Sequence, residues 1–119
     1  MTHCLFCRIA AGEIPAQTVL ETDSVIAFAD IAPAAPVHVL VVPKTHYESL
    51  AEMAAADGPG VAQLLAAAGE VARSQGVADS GYRLVSNVGA DSGQAVPHVH
   101  LHVLGGRNLG SLLSGPDYT

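Results

Sequence analysis

The chain is poor in basic residues. Its 119 residues include 5 lysines and arginines against 11 aspartates and glutamates, which gives a net charge of −6. A protein that binds the nucleic-acid backbone needs a basic stripe, so we expect no nucleic-acid partner. A small phosphate ligand remains open, because backbone N–H groups can hold an anion without excess positive charge.

Long apolar runs are also missing. No segment reaches the roughly 18 uninterrupted apolar residues of a membrane-spanning helix. The first residues show no basic region followed by an apolar stretch, so we expect no secretion signal and no membrane partner. A chain of this length, half of it hydrophobic and 13% charged, suits one folded domain, and we expect it in the cytoplasm.

Cysteine is scarce, and its two copies stand close together as Cys4-Leu-Phe-Cys7. In a cytosolic chain such a pair indicates metal binding or redox chemistry rather than a structural disulfide. Alone the signal is weak, because two neighbouring thiols can simply be reduced and partly buried.

Apolar periodicity and turn signals predict an α+β fold with a five-stranded antiparallel sheet, one long helix and one or two short ones. We expect a turn at 57–60. The predicted helices span 5–11, 49–56 (with Ser49 as N-cap) and 61–75, and the predicted strands span 18–21, 24–30, 38–42, 82–88 and the histidine run at 98–102.

Three histidines alternate along one apolar run, His98-Val-His100-Leu-His102. Alternate residues of a β-strand share a face, so the three imidazoles are predicted to project together. Each is a possible nucleophile or base near neutral pH. The plain alternative is the solvated face of an edge strand, but such faces normally mix Thr, Lys and Glu.

The spacing of these rings limits their joint chemistry. Same-face neighbours lie about 6.5 Å apart, so the Cα atoms of His98 and His102 are separated by roughly 13 Å, too far for one metal to be reached easily by all three. We therefore expect one histidine to react, one to assist and one to serve a different site. The small polar loop between Gly89 and Gly93 is a candidate anion nest, which favours phosphate chemistry through a phosphohistidine-type intermediate.

The segment from Asn87 to Arg107, with His-x-His-x-His followed by two apolar residues, resembles the signature of the histidine-triad (HIT) proteins. The similarity covers roughly residues 4–107 and indicates the Hint-like branch. It implies a HIT-like fold, with one domain at 1–107 and a tail at 108–119. Further matching segments occur in the same order: Phe6-Cys-Arg-Ile9, Glu13-Ile-Pro15, Ala27-Phe-Ala-Asp-Ile31, Ala35-Pro-Val-His38 and Val42-Pro-Lys-Thr-His46.

The resemblance implies a nucleotide hydrolase or transferase that cleaves nucleoside 5′-monophosphate conjugates at the α-phosphate through a nucleotidyl-histidine intermediate. It makes His100 the nucleophile, with its tautomer set by the His98 carbonyl, while His102 contacts the phosphate and His38 supports the triad. The implied substrate-binding residues are Asn87, Gly93, Gln94, Ala95 and Val96 for phosphate and ribose, Asp30 for the ribose hydroxyls, and Phe6, Ile9, Ile31 and Leu40 for the base.

Residue type alone favours plainer interpretations of several of these positions. The four apolar residues are then ordinary core residues, Asp30 is a turn or capping residue, and His38 is a half-buried histidine in an apolar strand.

One position departs from the Hint-like pattern, which commonly has Ser after the Gln. Here that residue is Ala95. A hydroxyl able to pass a proton to a leaving amine is then missing, a loss worth about 1–3 kcal/mol. We expect slower or altered phosphoramidase chemistry, with the backbone N–H contacts of the loop kept.

Cys4, Cys7, His46 and His98 are similar to the residues that surround a structural zinc in some bacterial-type members of the family. Two thiolates and two imidazoles complete a tetrahedral set, which leaves no open position for catalysis. We therefore expect a structural Zn²⁺ and no cofactor in the chemistry itself. The metal would hold the segment with Phe6 and Ile9 against the catalytic strand.

The resemblance thus favours an enzyme that releases nucleoside monophosphates, purine ones by preference, from small amines or acyl groups. The alternatives are a dinucleoside-polyphosphate hydrolase, a nucleotide-binding regulator or zinc-dependent interaction module with little turnover, and a metal-storage protein. Family members are usually symmetric homodimers with the long helix and a central strand at the interface, so we expect a homodimer here.

Overall fold

Five strands form one sheet in the order β1-β2-β3-β5-β4, and every neighbouring pair is antiparallel. The structure is a computed structural model that describes residues 4–112. Its strands are β1 (Thr18–Glu21), β2 (Val25–Ala29), β3 (Val37–Pro43), β4 (Tyr82–Val85) and β5 (Leu101–Gly105). Its helices are α1 (Leu5–Ala10), α2 (Leu50–Ala56) and α3 (Gly58–Ser74), with a 3₁₀ turn at Ala90–Ser92. The predicted α+β fold is confirmed.

The central strands are buried on both faces, which explains why β2 and β3 are almost continuously apolar in sequence. On one face Val39 and Val41 join a core that includes α3. On the other face Leu40 and Val42 join a second cluster with Phe6 of α1. The sheet therefore lies between α3 and α1, and the α1 side carries the candidate site.

Helix α3 packs on the sheet through residues that recur every three or four positions. The side chains of this stripe are buried: Leu64, Ala67, Ala68, Val71 and Ala72. The turn predicted at 57–60 is wrong, because the helix already begins at Gly58. The Asp57 carboxylate accepts the Gly60 N–H at 3.0 Å, which caps the helix, and a proline is tolerated in a first turn.

Two predicted strands also have wrong boundaries. β4 ends at Val85 rather than at 88, and β5 spans Leu101–Gly105 rather than 98–102. Ahead of β5, the Val99 N–H donates to the Tyr47 carbonyl in the loop after β3, at 2.9 Å, and so lies outside the sheet ladder. His102 is therefore the one triad residue inside a strand, while His98 and His100 lie in the segment that leads into it.

No helix in the described part of the chain has the length and apolar character needed to span a bilayer. Ser49 caps α2 as predicted, because its hydroxyl accepts the Glu52 N–H at 3.2 Å. The tail predicted at 108–119 lies partly outside the described residues.

Candidate active site

A cavity of about 380 Å³ opens between α1 and the sheet face that carries His102. Phe6 and Ile9 reach it from α1, and Leu40 reaches it from β3. Its polar lining side chains are Asp30, His100 and His102, which lie together with the apolar wall. The cavity thus combines an apolar wall with a small group of titratable side chains, as ligand sites commonly do.

The four residues assigned to the base pocket all line this cavity, but in different surroundings. Phe6, Ile9 and Leu40 are buried and belong to the apolar cluster on the α1 side. Ile31 is fully exposed, so its interpretation as a core residue is wrong. A fully exposed isoleucine at the rim of a cavity is available to cover a bound ligand.

Phe28 of β2 is a lining residue that the sequence interpretation missed. Its ring meets the ring of Phe6 edge-on with centroids 5.6 Å apart, and Phe28 pairs with Leu40 across the sheet. The alternation in β2 places Phe28 on the same face as Ile26. The pairing of β2 with β3 puts this face beside Leu40. That alternation was the signal that could have identified Phe28 as a lining residue.

His100 is oriented by its own backbone neighbourhood. Its Nδ1 lies 2.8 Å from the carbonyl oxygen of His98, and because a carbonyl only accepts, Nδ1 carries the proton. The Nε2 atom of the neutral ring then holds the lone pair. Burial lowers the pKa of His100, against the raising effects of that carbonyl and of Asp30, so the ring favours its neutral form.

A chain of three groups places the proton of His102 on the other ring nitrogen from that of His100. The Ala34 N–H donates to His38 Nδ1 at 3.0 Å, so the neutral ring of His38 carries its proton on Nε2. This Nε2 lies 2.8 Å from His102 Nδ1 and donates to it. The proton of neutral His102 is therefore on its Nε2, which makes that atom a hydrogen-bond donor.

The same chain argues against a metal at Asp30, His38 and His102, although their ligand atoms lie close together. A metal needs the lone pair on His38 Nε2, but the Ala34 N–H already fixes the proton there. Burial lowers the pKa of His38, while the Asp30 carboxylate at 3.5 Å opposes that shift. We interpret the trio as a hydrogen-bonded relay.

Two neighbouring imidazoles thus present different atoms. The rings of His100 and His102 have centroids 5.1 Å apart, and both rings line the cavity. One offers a lone pair and the other offers an N–H. This combination can attack an electrophilic phosphorus and hold one of its oxygens at the same time.

The loop before the histidine run is shaped by Gln94. Its side-chain oxygen accepts the Gly89 N–H at 2.9 Å, and its amide nitrogen donates to the carbonyls of Glu48 at 2.7 Å and Val96 at 3.0 Å. The side chain therefore holds the loop against the segment after β3. Both amide protons of Gln94 are then used within the protein, so the side chain has no N–H left to donate to a phosphate.

The other loop residues assigned to the substrate lie in varied settings. Gly93 has a left-handed backbone (φ 87°), which explains a glycine there. Val96 packs on the apolar cluster, while Ala95 is exposed, and both line the cavity. The Asn87 side-chain nitrogen is buried without a hydrogen-bond partner among the described residues, a donor that a ligand could satisfy.

A second cluster lies at the other end of the histidine run. His98 Nδ1 is 3.3 Å from Cys4 Sγ, 3.5 Å from Cys7 Sγ and 3.1 Å from His46 Nδ1. With metal–ligand bonds of about 2.0–2.3 Å, the edges of a zinc tetrahedron measure about 3.3–3.8 Å. His98 Nε2 donates to the Pro43 carbonyl at 2.8 Å, which leaves the lone pair on Nδ1, where a metal needs it.

The HIT domain model matches residues 11–109, a range that contains all five strands and the three alternating histidines. An uncharacterised HIT-like protein of Azospirillum brasilense is 49% identical over 111 residues, which cover 92% of this chain and 91% of that protein. The purine nucleoside phosphoramidase of Escherichia coli is 37% identical over 110 residues, covering 92% of each chain. The crystal structure of a HIT family hydrolase from Legionella pneumophila has a TM-score of 0.86 at 46% identity, covering 90% of this chain and 96% of the other.

Proposed function

The chain belongs to the HIT domain family, and we propose that it is a nucleotide hydrolase or transferase that cleaves nucleoside 5′-monophosphate conjugates at the α-phosphate. His100 forms the nucleotidyl-histidine intermediate in this proposal. The observation that carries it is the pair of opposite tautomers on His100 and His102 at one cavity.

The first step is the attack of the His100 Nε2 lone pair on phosphorus. A P–N bond forms, the bond from phosphorus to the leaving group breaks, and its electron pair departs with that group. The positive charge that develops on the ring is stabilised by its Nδ1–H···O=C bond to His98, at 2.8 Å. The Nε2–H of His102 stabilises the charge on a phosphoryl oxygen.

The second step releases the nucleotide. The oxygen of a water attacks phosphorus, the P–N bond breaks, and its electrons return to His100 Nε2. The water proton passes to solvent, so the sum is one nucleoside monophosphate and one leaving group for each water consumed. The relay through His38 keeps His102 in the same tautomer throughout, because the Ala34 N–H does not change its partner.

The apolar side of the cavity favours a nucleoside with a flat base, and we assign it a purine. Phe6, Phe28 and Leu40 supply the apolar wall, and Asp30 supplies an acceptor for ribose hydroxyls. Asp30 already accepts the Ala32 N–H through Oδ1 at 2.8 Å, which orients the carboxylate. The similarity to a purine nucleoside phosphoramidase supports this substrate class.

Cys4, Cys7, His46 and His98 fit a structural Zn²⁺, since their donor atoms all lie within 4.8 Å of one another and His98 presents its lone pair to the group. A zinc bound by four protein ligands would supply a cross-link and no reaction chemistry. It would tie α1, which bears Phe6, to the catalytic segment. Thiol ligands of this kind persist in a reducing compartment, so the cytoplasm remains the proposed location.

We also propose a homodimer through β4 and α3. Among the described strands β4 pairs on one side only, with β5. Its Tyr82 and Leu84 are large apolar residues with about two fifths of their surface exposed, and Leu65 of α3 is similarly exposed. An unpaired apolar strand edge favours pairing with a second copy, and size-exclusion chromatography with light scattering measures the resulting mass.

The test of the function is AMP release from an adenosine 5′-phosphoramidate and from an acyl adenylate. His100→Ala should reduce kcat/KM at least about 10⁴-fold, because the nucleophile is lost. AMP binding by the same variant, measured by calorimetry, controls for folding. If the wild-type protein binds AMP but releases it from neither conjugate, the proposal fails, and diadenosine polyphosphates become the next substrates to assay.

A further inference from the structure

We propose that this enzyme selects substrates by the acidity of the leaving group, with Ala95 as the specificity-determining residue. Groups that depart without a proton, such as the carboxylate of an acyl adenylate, are favoured over amines. The inference rests on the proposed nucleotidyl transfer to His100 and names the conjugates on which that site works best.

The leaving group must lie opposite His100 Nε2, because displacement at phosphorus is in line. With the nucleoside against the apolar wall, two lining segments remain, one with Ile14, Pro15 and Ala16 ahead of β1 and one with Ala95 and Val96, and none of their side chains carries a proton donor. Val96 packs on the apolar cluster, whereas Ala95 is exposed at the cavity. The departing group therefore faces a methyl group and solvent.

The polar side chains next to Ala95 are already used within the loop. Both donor bonds of the Gln94 amide go to backbone carbonyls, those of Glu48 and Val96. The Ser92 hydroxyl donates to the Gly89 carbonyl at 2.6 Å. Neither side chain can protonate a leaving group without breaking these bonds and reshaping the loop.

The titratable side chains that line the cavity do not supply the proton either. Among the described lining residues these are Asp30, His100 and His102. Asp30 is a carboxylate that accepts hydrogen bonds, and His100 is the nucleophile. His102 holds its Nε2 proton as a neutral imidazole, which is a good hydrogen-bond donor but a very weak acid.

The chemistry then divides substrates into two classes. When the bond from phosphorus to a carboxylate oxygen breaks, its electron pair stays on that oxygen, and the carboxylate leaves as a stable anion. When a P–N bond to an amine breaks, the nitrogen needs a proton to leave as the neutral amine. That proton must come from solvent water, so the amine conjugate reacts more slowly.

The test compares acetyl adenylate, the 4-nitrophenyl ester of AMP and adenosine 5′-phosphoramidate with wild-type protein and two variants. Ala95→Thr and Ala95→Val add side chains of nearly the same shape, which differ in one hydroxyl. Acetyl adenylate is scored by AMP–enzyme formation in rapid-quench mass spectrometry, which separates attack at phosphorus from hydrolysis at the acyl carbon.

We expect wild-type kcat/KM for the phosphoramidate to lie at least about 100-fold below that for the two conjugates with acidic leaving groups. We expect Ala95→Thr to raise the phosphoramidate rate at least about 10-fold relative to Ala95→Val, with equal effects of both variants on acetyl adenylate. Similar wild-type rates for all three conjugates, or identical phosphoramidate rates for the two variants, would overturn the inference. Absence of AMP release from every conjugate would instead overturn the proposed function beneath it.

Discussion

His98 and His102 stand at the two ends of one five-residue run and both carry their proton on Nε2, yet they present different ring nitrogens to the two clusters. The Nε2 of His98 donates to the Pro43 carbonyl, which leaves a lone pair on Nδ1 beside Cys4 and Cys7. The Nδ1 of His102 accepts from His38, which leaves the proton on Nε2 at the cavity. Identical side chains of the same tautomer thus present a lone pair to the Cys4–Cys7–His46 cluster at one end and an N–H to the cavity at the other.

The difference lies in the groups that meet each ring from elsewhere in the chain. His100, between the two ends, shares a link with each: its Nδ1 proton goes to the His98 carbonyl, and its ring lies beside His102. His98, which belongs to the Cys/His cluster, therefore also fixes the tautomer of His100, the proposed nucleophile. The two ends have separate chemistry but are joined through one backbone carbonyl.

The largest effect should come from removing the proposed metal ligands of the Cys/His cluster. Replacing both Cys4 and Cys7 with Ser should abolish stoichiometric zinc binding and lower the free energy of unfolding by about 4 kcal/mol, because a bound metal contributes to the folded state alone. Zinc content by mass spectrometry and urea unfolding measure the two quantities. Arg8→Ala is the matched control, because Arg8 lies on the same helix but is exposed and paired with Glu13. Unchanged zinc content in the double variant would contradict the metal assignment.

Breaking the hydrogen-bonded relay from His38 to His102 should have the next largest effect. His38→Ala removes the donor to His102 Nδ1, so that His102 is no longer held with its proton on Nε2. We expect a fall in kcat/KM of about 100-fold, mostly in kcat, which corresponds to losing one donor in the transition state. His38→Gln retains an N–H and should recover part of the loss. Equal activities for the two variants would show that His38 acts by packing alone.

A smaller effect should separate the cavity from the core. Ile31→Ser removes a fully exposed side chain that lines the cavity, so the urea midpoint should stay unchanged. If a bound nucleotide covers Ile31, the Kd for AMP should rise about 5- to 10-fold, the effect of leaving part of an isoleucine in water. Val88→Ser, at an exposed site outside the cavity lining, is the control. Equal Kd values for the two variants would remove Ile31 from the base site.

The smallest effect concerns pH and the buried ring of His38. Burial lowers the pKa of folded His38 below its ordinary value of 6.5. The groups that face its Nε2 are Asp30 and His102, and the raising effect of the Asp30 carboxylate does not reverse that shift. Below pH 6.5 the unfolded chain binds a proton that the folded protein does not, so stability should fall as pH falls. The slope cannot exceed about 1.4 kcal/mol per pH unit for one group. Urea unfolding at pH 7.5 and 5.5 should show a shallower dependence in His38→Gln, and an unchanged dependence would contradict the assignment.

Local patterns predicted most of the fold because the residues concerned agree with their neighbours. The buried strand at β3 is apolar on both faces, and Ser49 precedes its helix at the expected spacing. The start of β5 could not be predicted, because it depends on a bond from Val99 to Tyr47, which lies far away in sequence. Gly58 likewise resembles a turn residue in sequence. In the structure it is the first residue of α3, because Asp57 caps that helix.

For the site, the motif identified which residues to consider but not how their protons are placed. The resemblance named His38, His98, His100 and His102, and the structure brings each to one of two clusters. The tautomer of His102 depends on a backbone N–H of Ala34, a residue whose side chain carries no signal. Backbone donors of this kind become visible when the chain is folded.

The most direct test of the account is the proton position on His100 and His102, measured by ¹⁵N-resolved NMR of the histidine rings near pH 7.5. The account predicts that neutral His100 carries its proton on Nδ1 and neutral His102 carries it on Nε2. The same tautomer on both rings, or the reverse pair, would contradict the claim that one ring is the nucleophile and the other the donor.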